Sequence, residues 1–183
     1  MFKLLKEVFR TGEATVKYPF APLPVEKDMR GKPEHTAERC IACAACTIAC
    51  PANAIGMATD VEAATRTWSI DYGRCVFCGR CEEVCPTDAI RLSTEFELAV
   101  ARREDLTRKA IFKLARCEVC DTPFAVAKEV AYVQDLIEAT APSATDAAAR
   151  RRLIATCPAC KRLHDVEQLE KLGVGRRIEE TRR

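Results

Sequence analysis

The sequence predicts an α+β fold built on an internal repeat, and three observations carry that expectation. The run Arg39-Cys40-Ile41-Ala42-Cys43-Ala44-Ala45-Cys46-Thr47-Ile48-Ala49-Cys50-Pro51 aligns with Arg74-Cys75-Val76-Phe77-Cys78-Gly79-Arg80-Cys81-Glu82-Glu83-Val84-Cys85-Pro86 at a constant offset of 35 residues, and the match continues into Ala54-Ile55 and Ala89-Ile90. Between the copies, Trp68, Ile70 and Tyr72 alternate with Ser69 and Asp71, the period-two pattern of a half-buried strand. Beyond the second copy, apolar residues recur at helical steps. The repeating unit is read as strand, cysteine loop, short helix, strand, used twice.

A chain of 183 residues accommodates one compact domain with a small satellite. Four stretches differ in character: an amphipathic start (1–12), a proline-rich run (13–36), the cysteine repeat (37–94) and a region of helical periodicity with two further CxxC pairs (95–183). The first two form an N-terminal extension, 1–36. In it, Phe2, Leu5, Val8 and Phe9 fall on one side of a short helix, and Gly12 offers its stop. Pro19, Pro22, Pro24 and Pro33 then deny the chain regular ladders, leaving an extended segment along another surface, a leader without fixed structure, or a linker.

Twelve cysteines raise the question of compartment, because oxidising surroundings favour disulfides and reducing ones favour metal. Charges interrupt the apolar residues of Met1–Arg10, so no secretory signal is read there, and no segment approaches the ~20 apolar residues that span a bilayer. The expectation is a reduced, cytoplasmic protein whose cysteines bind metal. The formal charge of +2 counts those cysteines as neutral. With metal-bound thiolates the sum falls to roughly −4, which removes the apparent basicity as an argument for nucleic acid.

Each repeat copy reads C-x2-C-x2-C-x3-C-P, the bacterial two-cluster ferredoxin run, in which the fourth cysteine serves the other copy's cluster. Three cysteines at two-residue gaps let a tight loop wrap three corners of a [4Fe-4S] cubane, with backbone amides facing its sulfurs. Gly79 eases that loop in the second copy. The fourth cysteine lies about one helical turn on, and the proline after it ends the turn. The expected ligands are Cys40, Cys43, Cys46 and Cys85 for one cluster and Cys50, Cys75, Cys78 and Cys81 for the other. Neither copy has an open-coordination variant, and no catalytic triad or HExxH arrangement occurs, so electron transfer without bond chemistry is expected. Ile41, Val76, Phe77, Ile55 and Ile90 are placed around the clusters, or simply in the core of a small domain.

Cys117-Glu118-Val119-Cys120 and Cys157-Pro158-Ala159-Cys160 are paired CxxC knuckles 36 residues apart. They predict one tetrahedral four-cysteine site, zinc-ribbon-like with Zn2+ or rubredoxin-like with mononuclear iron, in a helical C-terminal satellite too small to hold its own core. Around them the periodicity predicts a helix through Leu98, Val100, Ala101 and Leu106, and another from Phe124 to Ala139 closed by Pro142. A third is expected after Ser143 to Ile154, and a last one opens at Asp165, with Gln168 as its capping box, and ends at Gly173. His35 and His164 stand apart from the ligand runs and are assigned no role.

The doubled cluster motif, the Arg30-Gly31-Lys32-Pro33 lead-in, the Trp68-Ser69-Ile70-Asp71-Tyr72 strand and the Phe96-Glu97-Leu98-Ala99 sequel resemble the two-cluster subunit of respiratory complex I. With the terminal CxxC pairs included, nearly the full length is similar to the small iron-sulfur subunit of formate hydrogenlyase and hydrogenase-4 complexes. The resemblance implies an electron relay on the cytoplasmic face of the inner membrane. Its implied partners are the large and small subunits of a nickel-iron hydrogenase, a second iron-sulfur subunit on the formate dehydrogenase side, and membrane-arm subunits. It gives the N-terminal helix a place on or near the membrane arm, beside the alternative of docking on a protein surface. The equivalent subunit of an NADH-quinone oxidoreductase or of a carbon-monoxide-linked hydrogenase is the runner-up. A zinc-ribbon interaction or nucleic-acid module rests only on Arg150-Arg151-Arg152 and Arg176-Arg177, residues ordinarily found on solvated faces.

Overall fold

The alternation around Trp68 extends in both directions into the longest run of pairing in the molecule, as seen in the computed structural model, which describes residues 2–12, 15–140 and 146–171. Strand β3 (Thr65–Asp71) pairs antiparallel with β2 (Ile55–Asp60) on one edge and with β5 (Thr107–Arg116) on the other, Trp68 standing opposite Met57 and Ala110. Strand β6 (Pro123–Val126) completes a four-stranded sheet in the order β2-β3-β5-β6. A second sheet joins β1 (Pro33–His35) to β4 (Ile90–Leu92), so the two ends of the cysteine repeat close on each other. Short helices α2 (Ala45–Ala49) and α3 (Arg80–Glu83) follow the first cysteines of each copy.

One core serves both sheets. Trp68, Ile70, Ile55, Ile90 and Tyr72 pack with Phe112, Leu114 and Val126, and Cys40 and Cys81 belong to the same buried cluster. The four-stranded sheet therefore continues across residue 95, and the region beyond it is not purely helical. The helix expected through Leu98, Val100, Ala101 and Leu106 does not form: that stretch has no regular structure until a 3₁₀ turn at Arg103–Leu106, which leads into β5. In β5 the buried Phe112 and Leu114 alternate with the exposed Ile111 and Lys113, and the open edge of β3 supplies the ladder that outweighs local helical spacing.

The later helices differ at their ends. Helix α4 (Ala127–Thr140) begins after β6 rather than at Phe124. Helix α5 (Ala147–Ile154) is capped by Asp146, whose carboxylate accepts from the Ala149 N–H at 3.1 Å. Helix α6 (Pro158–Lys171) opens at Pro158, inside the second knuckle, and Asp165 lies in its middle. Proline suits a first helical position because its missing N–H would be unpaired there anyway. The expected stops at Pro142 and Gly173, the Ser143 start and Arg176-Arg177 lie outside the described residues. Helix α1 (Phe2–Thr11) forms and ends on Gly12 at φ 58°, and its apolar residues, Phe2 at 87% and Phe9 at 83%, are exposed.

The backbone repeats as faithfully as the cysteines. Ala42, Ala44 and Asn53 take φ of 53°, 66° and 48°, and Phe77, Gly79 and Asp88 at the 35-residue offset take 52°, 82° and 51°. Before the first copy, Gly31 donates to the Ser93 carbonyl at 2.8 Å and Lys32 to that of Glu95 at 2.7 Å, with the Lys32 ammonium paired to the Glu95 carboxylate. A Cβ on Gly31 would lie 2.3 Å from the Glu95 carbonyl oxygen and 2.7 Å from that of Ser93.

Two glycine substitutions separate these constraints. Gly31→Ala forces its backbone away from that of residues 93–95 and should cost about 3 kcal/mol, read as a lowered denaturation midpoint. Gly79→Ala meets no atom closer than 4.0 Å, so only its left-handed backbone opposes it, and the loss should be about 1 kcal/mol. Ala44, in the same conformation in the first copy, indicates that such a protein still folds.

Candidate metal centres

The loop conformations aim the chain's own N–H groups at sulfur. Ala42 N donates to Cys40 Sγ at 3.4 Å and Phe77 N to Cys75 Sγ at 3.5 Å, while Ala54 N reaches Cys50 Sγ at 3.2 Å and Ala89 N reaches Cys85 Sγ at 3.1 Å. Each bond in the first copy has its counterpart 35 residues on. Donors placed this way stabilise thiolate and the negative charge of a metal–sulfur group.

Cys50 comes from the first copy, yet it lines one cavity with Cys75, Cys78 and Cys81 of the second. This cavity is walled by Pro33, Ile55, Ile70 and Phe77. Ile55 and Ile90 are buried as core, whereas Val76, which also lines the cavity, keeps 62% of its surface in solvent. Around Cys40 the neighbouring thiols are Cys46, Cys85 and Cys43, so here too one sulfur arrives from the other copy.

Burial governs these thiols. It pushes Cys40 and Cys75 up and carries Cys81 to about 11. At Cys85 burial also pushes up, but the N–H groups of Thr87 and Ala89 and the Thr87 hydroxyl outweigh it, and the thiol falls below its usual range. Thiols held protonated in this way become ligands when a cation replaces the proton.

Charged side chains brace each loop through its carbonyls. Arg66 donates to the Ala42 carbonyl at 3.3 Å and lies 3.7 Å from Glu129, and Arg30 donates to the Cys78 carbonyl at 3.1 Å. Lys128 on α4 donates to the carbonyls of Ala37 and Glu38 at 2.9 and 3.0 Å, just ahead of Cys40. His35, assigned nothing from sequence, stacks on Trp68 with ring centroids 3.8 Å apart, and burial lowers its pKa. These partners are distant in the chain and leave no local signal.

The other four cysteines meet at a single point. The sulfurs of Cys117, Cys120, Cys157 and Cys160 lie within 4.8 Å of one another, and Cys120 and Cys157 are 3.7 Å apart. A disulfide would need about 2.05 Å, whereas a tetrahedral metal with bonds of about 2.3 Å sets its sulfurs about 3.8 Å apart. Cys157 N donates to Cys117 Sγ at 3.2 Å, Val119 N to the same sulfur at 3.4 Å and Cys160 N to Cys157 Sγ at 3.5 Å. Burial would push Cys117 up, but N–H groups of Cys157, Cys120 and Val119 prevail and bring it down to about 6. Cys160, crowded by the Cys120 and Cys157 sulfurs and by burial, is pushed up to about 12. One proton leaves this cluster readily and another is held, the response of sulfurs arranged for a shared cation. His164 takes no part, lying 3.8 Å from Asp165 on exposed α6.

Comparison with known proteins agrees with this geometry. The 4Fe-4S dicluster domain family matches residues 39–89. The chain is 44% identical over 180 residues to formate hydrogenlyase subunit 6 of Escherichia coli strain K12, covering 98% of this chain and 99% of that one. Among solved structures it is similar to a chain in the membrane-bound sulfane sulfur reductase, an archaeal respiratory membrane complex, with 34% identity, a TM-score of 0.44 and coverage of 57% of each chain. Nearly full-length identity at this level, with a doubled cluster motif at its centre, makes the chain a member of the family of the small iron-sulfur, electron-transfer subunit of formate hydrogenlyase.

Proposed function

We propose that the chain is a built-in electron relay of a membrane-bound formate hydrogenlyase-type complex. It takes single electrons from another iron-sulfur subunit on the formate dehydrogenase side and passes them toward the large and small subunits of a nickel-iron hydrogenase, without bond chemistry of its own. The 44% identity across 98% of the chain is the observation that carries this reading. Among the described residues no helix is long and apolar enough to cross a membrane, so the attachment proposed is peripheral, through membrane-arm subunits on the cytoplasmic face.

Cys40, Cys43, Cys46 and Cys85 would hold one [4Fe-4S] cluster and Cys50, Cys75, Cys78 and Cys81 the other. When bound, such clusters supply one-electron redox centres. The protein's part is to keep them dry and to oppose their charge. Ile55, Ile70 and Phe77 exclude water from the Cys50, Cys75, Cys78 and Cys81 cavity, and the loop N–H groups face the sulfurs. Crossed ligation is supported by Cys50 lining the second copy's cavity and by Cys85 acting on Cys40. The four remaining cysteines would hold Zn2+ or mononuclear iron in a site that ties the loop after β5 to the start of α6. The chain thus reads as a ferredoxin-like unit, 37–94, with an extension, 1–36, and a metal-bearing region, 95–183.

Co-purification decides the parent complex: a tagged chain recovered from membranes in mild detergent should bring a nickel-iron hydrogenase with it, and recovery with an NADH-oxidising module instead would overturn this choice. Metal analysis of anaerobically purified protein should give about eight irons plus one zinc or a ninth iron. In reduced samples, Cys50→Ser should weaken the same paramagnetic signal as Cys78→Ser, and Cys85→Ser the same as Cys43→Ser; pairing of Cys50 with Cys43 would refute crossed ligation. Cys160→Ser should remove the single metal and lower the melting temperature while both cluster signals persist.

A further inference from the structure

Two buried donors beside the first cysteine loop have no hydrogen bond of their own. Trp68 is 1% exposed, yet its indole Nε1 has no partner, and the buried Thr47 hydroxyl has none either. Leaving such groups unpaired costs about 1–3 kcal/mol each. Both lie at Cys46, which adjoins Thr47 in the chain and packs against the buried cluster that contains Trp68. The indole is held in place by the His35 ring stacked at 3.8 Å and 14°, and by Met57 across the ladder.

The second copy has nothing equivalent. At the 35-residue offset, Trp68 corresponds to Pro33 and Thr47 to Glu82. Pro33 lines the cavity with Cys50, Cys75, Cys78 and Cys81, but proline has no N–H and its ring offers no donor. The Glu82 side chain is an acceptor, taking the Leu92 N–H at 3.0 Å. The loop N–H to sulfur bonds are matched between the copies, so the difference lies in side chains: Trp68 and Thr47 at Cys46, and the Thr87 hydroxyl 3.8 Å from Cys85 Sγ, where the first copy has Ala52. Donors to the sulfurs of an iron-sulfur cluster stabilise the added negative charge of its reduced form and raise its potential.

We propose that Trp68 and Thr47 donate hydrogen bonds to the Cys46 sulfur and hold the cluster bound by Cys40, Cys43, Cys46 and Cys85 at the higher reduction potential of the two. A single electron supplied by the donor subunit then rests on that cluster, with no bond made or broken. The inference rests on the ligand assignment proposed above.

Trp68 is the only tryptophan in the chain, which makes a direct test available. In the assembled complex, labelling the indole nitrogen with ¹⁵N and reducing until the first cluster signal appears should give a nitrogen hyperfine coupling that changes with the label. Trp68→Phe should abolish that coupling and lower the higher of the chain's two midpoint potentials, leaving the lower one in place. Thr47→Val should lower the same midpoint. A first-reduced signal without label-dependent coupling, or two midpoints that move together, would overturn the proposal. If Trp68→Phe loses iron, the labelled native protein and Thr47→Val decide. An iron content near four in the native chain would instead bring down the ligand assignment beneath it.

Discussion

Strand β3 is the element on which the other parts rest, because it is paired along both edges and presents its buried face to the cysteine loops. Seven residues from Thr65 to Asp71 face β5 in continuous register, and six of them face β2. Trp68 and Ile70 on that strand are each 1% exposed and pack with Cys40, Cys81 and the apolar residues of both sheets. A strand buried on one face and bonded on both sides has no alternative register, since a shift by one residue would turn Trp68 and Ile70 toward solvent.

The loops borrow their rigidity from that support. Six residues in left-handed conformations, five of them not glycine, are held at repeated positions, and each L-residue there carries a backbone penalty of about 1–2 kcal/mol. The packing beneath them and the carbonyl bonds from Arg30, Arg66 and Lys128 supply the compensation. In return the amides point at sulfur, which is the feature a charged inorganic group requires of a small protein. The duplicated architecture is nevertheless unequal, because side chains at equivalent places differ in their capacity to donate.

Legibility in the sequence followed the range of the interaction. The two C-x2-C-x2-C-x3-C-P runs, the Trp68 alternation and the amphipathic α1 were readable because their determinants lie within a few residues. Strand β5 was not: Leu98, Val100, Ala101 and Leu106 carry a helical spacing, and only the free edge of β3, some forty residues earlier, makes the following segment a strand. The start of α6 was readable in principle from Pro158, a residue suited to a first helical position, but the capping pattern at Asp165 competed with it. His35 and Gly31 gave no sign, since the ring under His35 belongs to β3 and the carbonyls crowding Gly31 belong to residues 93 and 95.

By itself, then, the sequence determined the kind of chemistry: cysteine spacing within a run is local geometry, and local geometry limits which inorganic group a loop can wrap. The tertiary structure decided which sulfurs share a cavity, how the sheet crosses from the repeat into the C-terminal region, and where the unpaired donors lie. Those outcomes depend on strand register between segments tens of residues apart, and register is set by which face of a strand is buried rather than by any residue's immediate neighbours.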